Sequence, residues 1–129
     1  MALKNSLHVM VVDDMAVSRG LITQALEEIG IHNIQYERDG AAALRRLAAN
    51  PVHLVIADYN MPGMDGLSLL HGLRANRSTQ RIGFILVTGK PDRDVLARGQ
   101  QLGMNNYLAK PFSVQAMRTC IEKVVGPLG

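Results

Sequence analysis

Short apolar runs recur along the chain, each ending in a polar or turn residue, with a helix-patterned stretch between one run and the next. The runs are His8 to Val12, Ile34 to Glu37, His53 to Tyr59, Gly83 to Thr88 and Asn106 to Ala109. Runs of this length bounded by turn residues read as strands. Strands alternating with helices predict βαβ units and a mainly parallel sheet with helices on both faces. Crossovers between parallel strands are right-handed, which leaves few topologies. The first, third and fourth runs are apolar throughout, as strands buried on both faces are. The second, Ile34-Gln35-Tyr36-Glu37, is half polar and suits an edge. The expected fold is therefore α/β: a doubly wound (βα)5, three-layer sandwich with strand order 2-1-3-4-5.

The helices carry their own punctuation. Met15 to Ile29 places Val17, Leu21, Ile22, Ala25 and Ile29 on one stripe, and Gly30 stops it. Ala41 to Asn50 is alanine-rich, with Ala43, Leu44 and Leu47 facing inward, and Pro51 ends it. Leu67 to Ala75 comes after a turn built on Pro62, Gly63 and Gly66, with Asp65 as its cap. Pro91 suits a first helical position, with Asp92 and Asp94 in the first turn, and that helix stops near Gly103. Ser113 is a good N-cap for the last helix, whose stripe is Val114, Met117, Ile121 and Val124.

At 129 residues with 47% hydrophobic content, the expectation is one compact domain over 1–129. The last predicted helix lies a few residues from the end of the sequence, and no output domain is expected. No apolar run approaches the roughly 20 residues that span a bilayer, and the start lacks a signal peptide's apolar core. A cytoplasmic protein without a membrane role is expected. Cys120 is the single cysteine, so no internal disulfide forms, and it reads as a small buried residue of the last helix. His8, His32, His53 and His71 show no metal-ligand spacing. The net charge of +3 comes from arginines spread along the chain rather than clustered, with few aromatics between them, so DNA binding is not expected.

The chemistry concentrates at strand ends. In the order 2-1-3-4-5, strands one and three are neighbours, so Asp13 and Asp14 face Asp58 across one rim. Two carboxylates about 5 Å apart repel by ~3 kcal/mol at an effective dielectric of 20. A divalent cation removes that penalty, and oxygen-only ligands favour Mg²⁺ or Mn²⁺ over zinc. Singly, Asp14 reads as well as a helix N-terminal acid, and Asp58 as a turn residue. Jointly, three acids at facing strand ends favour the metal reading. Thr88 and Lys110 close strands four and five and bring a hydroxyl and an ammonium to the same rim. Singly these are an ordinary β-branched strand residue and a solvated lysine. Together they suit a phosphoryl group carried on one carboxylate, with Asp58 as nucleophile and an acyl phosphate as product.

Asp13-Asp14, Asp58-Tyr59-Asn60-Met61-Pro62-Gly63-Met64-Asp65-Gly66, Thr88-Gly89, Tyr107 and Lys110-Pro111 together resemble the receiver domain of two-component response regulators. The Asn60-Met61-Pro62 turn resembles that of the single-domain, CheY-like chemotaxis members. The resemblance implies a flavodoxin-like fold with Asp58 as phosphoacceptor. It implies Mg²⁺ held by Asp13, Asp14, Asp58 and the Asn60 backbone carbonyl. Thr88 would move toward the phosphate and hydrogen-bond it, Lys110 would contact it, the Lys110–Pro111 peptide would be cis, and Tyr107 would act as a rotameric switch. It further implies a chemotaxis histidine kinase (CheA-like) as donor, a flagellar motor switch protein (FliM-like) as target, a phosphatase as a further partner, and a monomer. A phosphate sink that drains the kinase without binding the motor is the alternative role. Gly89 departs from the family's usual alanine. Lys90 stands where well-known chemotaxis members carry an acid. Asn60 and Lys90 flank the expected phosphate and are expected to set its lifetime.

Two other classes share features of the pattern. A flavin-binding electron carrier would need a Ser/Thr/Gly-rich loop after strand one, where this chain has Asp13-Asp14. A phosphohydrolase of the haloacid dehalogenase kind would need an acid at position 60 and threonine at 62, where this chain has Asn60 and Pro62.

Overall fold

The computed structural model describes residues 2–129. Five strands, β1 (His8–Val12), β2 (Asn33–Glu37), β3 (Leu54–Asp58), β4 (Gly83–Thr88) and β5 (Asn106–Ala109), form one parallel sheet of order β2-β1-β3-β4-β5. Five helices alternate with them: α1 (Ala16–Ile29), α2 (Gly40–Ala49), α3 (Gly66–Ala75), α4 (Arg93–Leu102) and α5 (Val114–Val125). A short 3₁₀ turn, Leu3–Asn5, precedes β1. Strand order and element sequence match the expected doubly wound fold.

The strand period of two splits the core into two layers. Val9, Val11, Leu54, Ile56, Ile85 and Val87 join the cluster under α1 and α5. Met10, Val12, Val55, Ala57, Phe84 and Leu86 join the one under α2, α3 and α4. All five residues of β3 are buried, whereas no residue of β2 is fully so, as befits an edge.

Helix punctuation agrees closely with the sequence. Gly30 ends α1 at φ 105°, in the left-handed region that favours glycine. Asp39, Asp65 and Ser113 cap their helices by accepting the N–H of Ala42, Ser68 and Ala116.

Three expectations need correcting. The buried residues of α5 are Met117, Cys120 and Ile121, and Val114, expected on that stripe, is exposed where the helix begins. Pro91 lies outside α4, because the Asp92 carboxylate accepts the Val95 N–H and makes Asp92 the cap rather than a first-turn acid. The inward stripe of α1 is Ile22, Ala25, Leu26 and Ile29. Val17 and Leu21 are 76% and 57% exposed. Leu21 sits about 100° around the helix from Ile22, and the core below covers only the narrower arc of Ile22, Ala25, Leu26 and Ile29. With Met15 and Val114, also exposed, they leave an apolar groove between α1 and the start of α5.

Candidate functional site

The carboxyl ends of β1, β3, β4 and β5 meet at one rim, and the strand register aligns the residues just beyond them. Val12 pairs with Ala57, so Asp13 and Asp58 come next, side by side. Thr88 pairs with Ala109, and Lys110 is one residue on. Backbone hydrogen bonds hold this alignment past the strands: Asp13 N–H to Glu37 O at 3.1 Å, Tyr59 N–H to Val87 O at 2.9 Å, and Lys110 N–H to Thr88 O at 2.9 Å.

Gly66 seats α3 against the end of β3. A Cβ there would lie 2.6 Å from the Asp58 carbonyl oxygen and 2.7 Å from Leu86 Cδ1. The Gly66 N–H donates to Tyr59 O at 3.0 Å. The turn that carries Asn60 is thereby folded tightly back on the strand that carries Asp58.

Asp13, Asp14 and Asp58 each bring a carboxylate oxygen into a set lying within 4.8 Å of one another. Asp13 is fully buried, Asp58 is 6% exposed and Asp14 is half-buried. Asp13 Oδ1 accepts the Met15 N–H at 3.0 Å. The Arg19 guanidinium donates to the Asp13 carbonyl at 2.9 Å and lies 4.7 Å over the Tyr36 ring. Asp13 Oδ2 and Asp14 Oδ1 are buried without a hydrogen-bond partner. An unpaired buried polar atom costs about 1–3 kcal/mol, more when charged. Two such oxygens in an oxygen-only cluster fit a hard divalent cation such as Mg²⁺.

Lys110 supplies the opposing charge. Its ammonium lies 2.6 Å from Asp58 Oδ1 and donates to Ser18 Oγ at 3.0 Å. Burial pushes the Asp58 carboxyl above its ordinary value; Lys110 pulls it down, and Asp13 and Asp14 add a smaller upward push. Desolvation prevails over the ion pair because the carboxylate is nearly enclosed while the ammonium keeps partial access to water.

Thr88 is 2% exposed, and its hydroxyl accepts the Lys90 N–H at 3.1 Å. That bond ties the end of β4 to the loop entering α4. Asn60 and Lys90 are exposed beside the rim. Tyr107 is 39% exposed on β5. The Lys110–Pro111 peptide is cis, as the resemblance implied.

Three contacts are not legible in the sequence. Ser18 and Lys110 are 92 positions apart. Arg19 reaches the Asp13 carbonyl, and the Lys90 N–H reaches Thr88. Sequence holds one signal for the first two: α1 starts directly after Asp13-Asp14, so its first turn must border the rim. At the opposite end of the sheet, His53 Nδ1 accepts the His8 N–H at 2.9 Å, a pairing made by strand adjacency alone.

A five-stranded 2-1-3-4-5 sheet with an acidic cluster at β1 and β3 and a lysine after β5 is the arrangement of a receiver domain. Residues 9–122 match the family model of the response regulator receiver domain, and the chain belongs to that family. It is 41% identical to a "Probable chemotaxis protein CheY" of Rhizobium etli over 128 residues, covering 99% of each. It is 34% identical to "Chemotaxis protein CheY" of Pseudomonas aeruginosa over 116 residues, covering 90% of this chain and 94% of that one. Among solved structures, the receiver domain of sensor histidine kinase PA1611 from Pseudomonas aeruginosa superposes with a TM-score of 0.84 at 26% identity, covering 93% of this chain and 98% of that one; it has a magnesium ion coordinated in its active site cleft. Chemotaxis protein CheY4 of Vibrio cholerae shares the fold, with a TM-score of 0.85 at 23% identity over 92% of this chain and 98% of its own. Among the described residues, no helix is long and apolar enough to cross a membrane.

Proposed function

We propose that this chain is a stand-alone chemotaxis response regulator, one receiver domain over 1–129, phosphorylated on Asp58. The observation that carries the reading is the Asp58 carboxylate, held 2.6 Å from the Lys110 ammonium inside a cluster with two unpartnered acidic oxygens. Asp13, Asp14, Asp58 and the Asn60 carbonyl would hold Mg²⁺. When bound, the cation offsets the charge of the carboxylates and of the phosphoryl oxygens.

The residues divide the work by chemistry. An Asp58 oxygen attacks the phosphorus of a phosphohistidine on a histidine kinase. The P–N bond breaks, its electron pair stays with the imidazole, and that nitrogen takes up a proton. Lys110 passes from the carboxylate to the phosphoryl oxygens as a point charge. The Thr88 hydroxyl spends only a lone pair on the Lys90 N–H, so its own proton is free to donate to a phosphoryl oxygen. A charge-assisted bond of this kind contributes about 1.5–3 kcal/mol, which shifts a balanced two-state equilibrium roughly tenfold to a hundredfold.

Drawing Thr88 inward pulls on the loop through Lys90 and opens space that Tyr107, now half outside, would fill. The surface of α4, β5 and α5 then changes its affinity for a partner. Similarity to the CheY relatives supports the flagellar motor switch as that partner. Asn60 and Lys90, exposed at the rim, set how fast water removes the phosphate. The test is phosphotransfer from a chemotaxis kinase, then capture on a motor-switch peptide. Phosphorylated wild type should be retained and Asp58→Asn should not. Phosphorylation without retention would replace the motor role with that of a phosphate sink.

A further inference from the structure

We infer that Ser18 is a positioning residue for Lys110, an inference that rests on the phosphoacceptor reading above. The Lys110 ammonium carries three N–H donors. One meets Asp58 Oδ1 at 2.6 Å from the sheet side, and another meets Ser18 Oγ at 3.0 Å from α1. The lysine tip is thus bracketed by two elements, β3 and α1. Its side chain is 30% exposed, so without the bracket it has room to swing into solvent.

The two anchors differ in what phosphorylation does to them. Asp58 loses its negative charge as the acyl phosphate forms, and the contact that defines the resting position of Lys110 weakens at the moment the lysine is needed. The Ser18 hydroxyl is untouched by the reaction. It holds the ammonium at the rim before, during and after transfer, and it leaves the ammonium's remaining N–H free for the phosphoryl oxygens. A hydroxyl suits this role because it accepts from the lysine without neutralising it. A carboxylate at the same place would compete with the phosphate for the charge.

Ser18 lies in the first turn of α1, partly exposed, so Ser18→Ala substitutes a better helix former and leaves the fold intact. The experiment measures Asp58 phosphorylation of the full chain by acetyl phosphate with Mg²⁺. It compares wild type, Ser18→Ala, Ser18→Thr, Lys110→Ala, the Ser18→Ala/Lys110→Ala double variant and Asp58→Asn. With one of its two anchors gone the ammonium is at the rim a smaller share of the time. Loss of one such hydrogen bond predicts a roughly fivefold lower occupancy, and with it a roughly fivefold lower maximal rate, for Ser18→Ala. The Mg²⁺ concentration giving half the effect should not change. Ser18→Thr should restore the rate, and in the Lys110→Ala background Ser18→Ala should cost nothing further, which a merely structural role would not produce. A Ser18→Ala rate within about twofold of wild type, or an equal loss with and without Lys110, overturns the inference alone. No labelling of wild type, or equal labelling of Asp58→Asn, overturns the phosphoacceptor reading and this inference with it.

Discussion

The Lys110 ammonium and the Asp58 carboxylate touch at 2.6 Å, yet burial still leaves the Asp58 carboxyl above its ordinary value. The ion pair therefore does not fully offset the cost of enclosing a charge beside Asp13 and Asp14. A folded-state pKa above the unfolded value of 3.8 means that the folded chain binds this proton more tightly. The penalty is absent below the unfolded value and fully present above the folded one, so stability falls as pH rises between them. Asp58→Asn should raise the melting temperature of the metal-free protein at neutral pH. The difference should shrink as pH falls through that window. Thermal melts of both proteins across pH, with chelator present, check this.

Magnesium should act in the same direction by a different route. A ligand that binds only the folded state adds about 2.7 kcal/mol at a hundred times its Kd. Wild type should gain stability of that order on Mg²⁺ titration. Asp13→Asn and Asp14→Asn should abolish most of the gain, because each removes one of the two unpartnered oxygens. Melting curves against Mg²⁺ concentration read the result directly.

Two glycines near the site should respond in opposite ways. Gly66→Ala places a methyl 2.6 Å from the Asp58 carbonyl oxygen, which is backbone and cannot step aside. Overpacking of this kind costs about 1–3 kcal/mol, and here it also displaces the strand that carries Asp58. At Gly89 a Cβ meets nothing within 4 Å, and its φ is not in the left-handed region. Gly89→Ala should therefore be neutral or stabilising by about 0.4–1 kcal/mol, through the unfolded chain. Denaturant unfolding of the two variants distinguishes them.

Cys120 should be chemically quiet. Burial pushes its thiol up from 9.0 to about 11, with a small opposing pull from Lys123. At pH 8 the thiolate fraction is then on the order of one in a thousand. Thiol reagents should react slowly with the native chain and rapidly in denaturant. Because the folded value is the higher one, this residue's cost to stability begins above pH 9 and is complete only beyond about 11.

How far these features are legible in the sequence depends on which physical rule sets them. Strand ends that carry Asp13, Asp14, Asp58, Thr88 and Lys110 are marked by apolar runs cut off by polar residues, and parallel topology alone gathers them at one rim. The caps Asp65 and Ser113 are local and equally readable. Val17 and Leu21 are not, because periodicity marks an apolar arc on α1 without saying how much of it the sheet covers. Ser18 is only placed near the rim by the start of α1 after Asp13-Asp14: its partner lies across the fold, and a serine in a helix's first turn has an ordinary capping explanation. The start of α4 is ambiguous by two residues, since Pro91 suits a first helical position and Asp92 suits a cap, and the hydrogen bond from the Val95 N–H to Asp92 decides for Arg93 as the first helical residue.

The central claim is that Asp58 alone carries the phosphoryl group. Phosphorylation by acetyl phosphate with Mg²⁺, then borohydride reduction and peptide mass spectrometry, converts an aspartyl phosphate to homoserine at the modified position. The account predicts homoserine at position 58 in wild type and none in Asp58→Asn. Homoserine at position 13 or 14 in wild type, or no conversion under conditions that label a control receiver, would contradict it.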